Sequence, residues 1–173
     1  LGLVGVLIDS NVAAAFSVSG AGCPAGTYTA PAAVSWMAGS TCSITTGSPQ
    51  GGPDTRWVFS RWSDGSTANP RAIVAAPGAV YTLVWSVEYR LTRTVSGQGS
   101  ISGADGFYPS GSSVSLTATP AADYQFDGWT GGGGGSSNPL TVRMDGPATV
   151  TANFALTPSL PDVSSLQPLT GSG

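Results

Sequence analysis

Nucleophilic hydrolysis needs a base beside a serine or cysteine, and this chain of 173 residues contains no histidine and no lysine. Only carboxylates remain as bases. Glycoside hydrolysis needs two acids held at a defined separation. The acids here are a single glutamate, Glu88, and scattered aspartates, among which nothing in the sequence singles out a pair. Four aspartates precede glycine, in Asp64-Gly65, Asp105-Gly106, Asp127-Gly128 and Asp145-Gly146. None has the D-x-D-x-D-G spacing that brings several oxygens onto one calcium ion. Asp-Gly is also the preferred hairpin dipeptide, because glycine accepts positive φ and aspartate tolerates it, and these are read as turns. The five glycines at residues 131–135 would suit a phosphate if a helix began after them. They lead instead into Leu140-Thr141-Val142-Arg143-Met144, which alternates as a half-buried strand does. The run reads as a mobile surface loop. The expectation is a protein with no catalytic residue, cofactor-binding residue or metal ligand, and so not an enzyme.

Cys23 and Cys42 lie in segments that read as neighbouring strands, without the CxxC spacing or histidines of a zinc site. A disulfide is the simplest reading, and it implies an oxidising, extracellular location; two buried free thiols are the alternative. Charged residues make up 9% of the chain, every cation is arginine, and the net charge is −3. No basic stripe is available to neutralise a phosphate backbone, which argues against nucleic acid as a partner. The opening run LGLVGVLIDS is interrupted by Asp9 and is too short to span a bilayer. It reads as the first strand of a mature secreted protein.

The elements that must position these residues are strands. Glycine (25) and proline (13), with abundant serine, threonine and valine, leave no convincing helical window. The chain also repeats itself. Phe59-x-x-Trp62 corresponds to Phe126-x-x-Trp129, and each is followed by a glycine- and serine-containing connection, then Asn69-Pro70 or Asn138-Pro139. A short strand follows, then a Pro/Gly turn, then Val80 to Trp85 against Thr149 to Phe154. The period of about 70 residues is that of tandem small domains rather than a solenoid. Trp36, Phe59, Trp62, Trp85, Phe126, Trp129 and Phe154 are assigned to the cores of the two units, since small domains need large side chains to bury enough area. Trp57 and Tyr108 alternate away from those positions and are the better candidates for stacking on polysaccharide.

The second unit carries Tyr108-x-x-Gly111-x-x-Val114, Leu116-x-Ala118-x-Pro120, Phe126-x-Gly128-Trp129 and Thr149-Val150-x-Ala152-x-Phe154 in order. It resembles the divergent internalin-B-type repeat, a bacterial surface module, and the first unit resembles a more distant variant that carries cysteines and lacks L-x-A-x-P. The resemblance implies small β-rich, β-grasp-like domains strung along secreted or cell-surface proteins as spacers or adhesive segments, and it implies no catalytic residues.

The expected architecture is all-β: two tandem modules, β-grasp-like or sandwich-like, at residues 1–88 and 89–156, then an extended arm at 157–173. The expected function is structural, in a bacterial extracellular surface or filament assembly, with other copies of the chain or neighbouring domains as partners and no membrane span. The alternative is a glycan- or ligand-binding, adhesive module of a larger secreted protein. Lysine-free strand edges are poorly protected against pairing. The apolar residues Leu1, Leu3, Val4, Val6 and Ile8 are therefore a candidate assembly strand that adds to the sheet of a neighbouring copy; the alternative, which the resemblance implies, is that this stretch pairs within its own module.

Overall fold

The computed structural model describes residues 2–158, and among them there is no helix. Nine strands lead up to and include the longest: β1 (Leu3–Ser10), β2 (Ala15–Ser19), β3 (Gly26–Thr29), β4 (Ala32–Met37), β5 (Thr41–Thr45), β6 (Gln50–Gly51), β7 (Thr55–Trp62), β8 (Arg71–Val74) and β9 (Ala79–Ser96). After it come β10 (Gly99–Ile101), β11 (Gly106–Pro109), β12 (Ser113–Leu116), β13 (Ala118–Pro120), β14 (Tyr124–Gly131), β15 (Leu140–Arg143) and β16 (Ala148–Leu156). An eight-stranded sheet holds β1, β4, β6, β7, β9, β11, β14 and β16. A four-stranded sheet, β3-β2-β5-β8, and the pairs β12–β15 and β10–β13 complete the fold.

Strand β9 runs for 18 residues because its sequence, AVYTLVWSVEYRLTRTVS, is rich in β-branched and aromatic residues and contains no glycine or proline. Its partners change along its length. Leu83 pairs with Ser10 of β1 and with Trp62 of β7, so those strands lie on opposite edges. Tyr89 pairs with Thr55 of β7 and Tyr108 of β11, and Leu91 with Gly106 of β11 and Ala148 of β16. One edge therefore carries β1 and then β11, while the other carries β7 and then β16. The change from the first unit to the second falls inside this one strand.

Two hydrophobic cores form on the same alternating face of β9. The first takes Leu83 and Trp85 from β9, Val6 and Ile8 from β1, and Val34 and Trp36 from β4. Phe16, Cys42, Ile44 and Ile73 of the four-stranded sheet pack against them, a sandwich arrangement. The second core takes Leu91, Val150, Ala152, Phe154 and Trp129 from the large sheet, against Val114, Leu116, Leu140, Val142 and Met144. Trp36, Trp62, Trp85, Trp129 and Phe154 are buried, whereas Phe59 and Phe126 are half-buried and meet their neighbours edge-on. Each phenylalanine sits beside a register shift, between Phe59 and Arg61 or between Phe126 and Gly128. The extra residue of such a bulge turns the following tryptophan into the core.

The expectation of a donor strand at the amino end is corrected. Val6 and Ile8 are 2% and 0% exposed, and β1 is antiparallel to β4 on one edge and parallel to β9 on the other. Val4 packs against the first core, and Leu3 pairs with Met37 of the same chain. Burying its inward side chains at home is worth about 1.5–3 kcal/mol each, and a donated strand would forfeit that. Leu1 lies outside the described residues. Of the expected arm at 157–173, only Thr157 and Pro158 are described; Thr157 donates from both its N–H and its hydroxyl to the Asp123 carbonyl, which fastens it to the second unit. The remainder of that arm lies outside the described residues.

Cys23 and Cys42 form a disulfide with a Cα–Cα distance of 5.8 Å. It ties the β2–β3 connection to the middle of β5, and both cysteines are buried. Closing a loop of this length restricts the unfolded chain by about 3 kcal/mol. Replacing both cysteines by alanine is expected to lower the unfolding free energy by about that amount, measured by denaturant titration of the first unit's tryptophan fluorescence. An unchanged midpoint would show that the first core does not depend on the crosslink.

Candidate functional site

Among the described residues, four arginines form separate ion pairs. Arg56 Nε donates to Glu88 Oε2 at 2.7 Å, Arg93 Nε to Asp105 Oδ1 at 2.8 Å, and Arg143 Nε to Asp145 Oδ1 at 2.9 Å. Arg71 grips Asp64 with two nitrogens, one at 3.0 Å, while its guanidinium lies 4.9 Å from the Trp62 ring. The arginine hydrogen bonds hold the Asp64 and Asp105 carboxyls below the usual aspartate range. These carboxylates are themselves exposed and are held ionised by half-buried arginines, the opposite of the tuning that readies a general acid. Among the described residues, no three His, Cys, Asp or Glu side chains gather to hold a metal ion. The Asp-Gly steps differ in setting: Gly65 donates to the Trp62 carbonyl in a turn, Asp145-Gly146 lies in the β15–β16 connection, and Gly128 occupies the bulge of β14 with φ of 117°. Asp105-Gly106, expected as a turn, instead opens β11 with Gly106 paired to Leu91.

The five glycines are exposed but tied down. Trp129 and Gly135 exchange backbone hydrogen bonds of 2.7 and 3.1 Å, and Gly132 donates to the Thr149 carbonyl at 2.9 Å. The reading of a mobile loop therefore gives way to a folded one. At Gly131, φ is 91° and a Cβ would collide with the Thr149 carbonyl oxygen, so the close return of the loop over β16 requires glycine there. The open groove beside it, of about 380 Å³, has Val142, Pro147 and Ala148 on its walls, and its charged groups are the Arg143–Asp145 pair already described.

Four neutral amide side chains act as strand partners where a ladder ends. Asn11 Oδ1 accepts from Trp85 N–H, and its Nδ2 donates to Trp85 C=O, both at 2.9 Å, in the gap between β1 and β11. Gln50 makes the same two-way pairing with Ala15, Asn69 with Thr46, and Asn138 with Ala118. An amide offers one acceptor and two donors without a charge, so from an exposed or half-buried position it can stand in for a peptide group and pair the backbone of a neighbour such as the buried Trp85, Thr46 or Ala118. Asn69 and Asn138 follow loops whose carbonyls receive the buried indoles: Trp62 Nε1 donates to Ala68 O and Trp129 Nε1 to Ser137 O, each at 2.9 Å. Spacing in the sequence marked the two Asn-Pro steps as equivalent. It carried no signal for Asn11 or Gln50, whose partners are set by topology.

The junction is the place where both units contribute side chains. Arg56 of β7, besides holding Glu88 of β9, lies 4.1 Å from the centroid of the Phe107 ring of β11. Arg90 N–H donates to Asp54 O at 2.9 Å, and Ser110 N–H to Val87 O at 2.8 Å. The two aromatic candidates for sugar stacking are elsewhere engaged. Trp57 packs against the first core with its indole nitrogen buried, and Tyr108 packs against the second with its hydroxyl donating to Ala104 O.

Residues 89–158 match the model of a protein family described as the divergent InlB B-repeat domain. The match runs from the second half of β9 through β16, so it covers the second unit and leaves the first outside it. No curated protein and no solved structure matches the chain.

Two substitution sets test these assignments. Gly131→Ala is expected to destabilise the second unit by at least about 1–3 kcal/mol through the backbone collision, whereas Gly146→Ala, whose Cβ meets nothing within 4 Å, is expected to be tolerated. Equal melting temperatures for the two variants would show that the loop is not held as described. Asn69→Ala and Asn138→Ala each strand a backbone N–H and C=O and are expected to cost about 2 kcal/mol, read by chemical denaturation. A loss below the fitting error would show that water replaces the amide.

Proposed function

We propose that this chain is a non-enzymatic structural piece of a bacterial extracellular surface or filament assembly, which holds two β units at a fixed distance and direction. The observation that carries this reading is the continuity of β9. A flexible linker would let two domains reorient. Here Glu88 and Tyr89 are paired with β7 of the first unit and with β11 of the second at once, so bending the junction means breaking ladder pairs on both edges. The similarity of residues 89–158 to a B-repeat domain supports a surface-repeat setting, and the Cys23–Cys42 disulfide supports an oxidising, extracytoplasmic one. Four arginine–carboxylate pairs dispersed over the surface offer no converging acid, base and nucleophile. The glycan-binding alternative has less support, because Trp57 and Tyr108 lie against the cores.

The expected outcome of a turnover screen with glycans, esters and peptides is no activity. In parallel, spin labels placed one in each unit are expected to give a single narrow distance distribution. Turnover abolished by one Asp→Asn substitution would overturn the non-enzymatic reading, and a broad distance distribution would overturn the rigid junction.

A further inference from the structure

The outward face of the eight-stranded sheet is built differently in the two units. Register fixes which positions correspond: Val6 pairs with Ala79 and Val34 as Leu91 pairs with Ala148 and Gly106. By this correspondence Leu7 stands where Thr92 stands, Val80 where Thr149 stands, and Val84 where Asn153 stands. In the second unit the face is polar: Thr92 pairs with Thr149 and Thr94 with Thr151, and the latter two hydroxyls hydrogen-bond to each other. In the first unit the corresponding positions Leu7, Val80 and Val84 are aliphatic, and Leu3, Val80 and Met37 are exposed by 72%, 56% and 40% on a face that also carries Asp9, Ser35, Thr82 and Arg61. The fold itself accepts threonine and asparagine at these positions, as the second unit shows. The aliphatic side chains of the first are therefore not required to make the sheet.

We infer that this face is the contact between two copies of the chain, stacked sheet on sheet about a two-fold axis; the inference rests on the structural reading above and names its partner. Four strands about 4.8 Å apart, each about six residues long at roughly 3.3 Å per residue and showing every second side chain, span a face of at most roughly 20 by 20 Å. With side-chain relief that is roughly 500 Å² per copy, so a stacked pair buries roughly 1,000 Å², about the least a specific contact needs. Gly5 and Ser35 lie opposite each other in the β1–β4 part of the face and allow close approach there. Asp9, paired with Thr82, and Arg61, paired with Val84, share this face two strands apart. A two-fold axis parallel to the strands and running along β9 brings β1 over the other copy's β7, and so each Asp9 toward the other copy's Arg61. Aliphatic rather than aromatic side chains cover the face, which favours a sheet over a sugar ring as its occupant.

Sedimentation equilibrium of the full chain tests the assignment. The expected result is a mass that rises toward twice the monomer over about 1–100 µM, with self-association weakened by about tenfold or more in Leu7→Thr/Val80→Thr. These substitutions install the residues of the second unit at corresponding positions, so the melting temperature of the dilute protein should be preserved. A nitroxide on Gly5→Cys, where an added Cβ meets nothing within 4 Å, is expected to give a dipolar signal between copies. A chain that stays monomeric, a dimer indifferent to the double substitution, or no dipolar signal would overturn the contact. Retention of a monomeric chain on lipid vesicles or polysaccharide would also overturn it. A blank turnover screen with a monomeric chain sinks the dimer alone, whereas turnover with an intact dimer sinks the structural reading alone.

Discussion

Everything in this molecule depends on the hydrogen bonding of β9 along both of its edges. A strand has two edges and no more, and each edge of β9 passes from one unit to the other near Glu88 to Leu91. The hand-over points overlap, because Glu88 and Tyr89 still pair with β7 when they already pair with β11. No residue of the junction is left to rotate as a linker does. The twist native to any β-strand then sets the angle between the units, and the alternation of side chains puts both cores on one face of β9. Distance and direction between the units thus follow from main-chain geometry, which salt and modest sequence change leave largely untouched.

The low charge of the chain fits the way its loose ends are satisfied. A sheet protein that turns often must end many ladders, and each end exposes peptide groups that are costly to bury unpaired. Asn11, Gln50, Asn69 and Asn138 meet that need with neutral amides, each pairing with both polar groups of one residue. A carboxylate or ammonium in these places could only accept or only donate, whereas an amide does both. The arginines are used differently: Arg56 and Arg71 stack on aromatic rings while holding a carboxylate, so their planar heads extend the packing of the aromatic side chains at the surface.

The two units share a plan but not a surface. Equivalent positions keep the aromatic core, the bulge before the second tryptophan, the loop that receives its indole, and the Asn that closes the ladder. They differ on the outward face and in the crosslink, since the second unit contains no cysteine. Core positions are constrained by packing at near-crystalline density, while an outward strand position accepts almost any residue of suitable β-propensity. Divergence has room only where packing does not decide, and the outward face is such a place.

The sequence by itself determined the class of fold, all-β, and which residue types are available for chemistry. Alternation, glycine and proline placement and the absence of histidine and lysine are local or compositional, so they can be read without knowing what touches what. The pairing of Cys23 with Cys42 was the simplest of two readings and is the one the structure shows. What only the tertiary structure decided are the facts of partnership. The run from Leu3 to Ile8 reads equally well as a strand donated to a neighbour or kept at home, because the same period-two pattern serves both; only the two occupied edges of β1 choose. Five glycines read as slack, because a run without side chains carries no pattern, yet it is the absence of Cβ atoms that lets the loop close on Thr149 and Trp129. The role of Asn11 and the sharing of β9 were invisible for the same physical reason: a hydrogen bond between residues 74 positions apart is specified by the path of the chain in space, and no local rule of sequence encodes it.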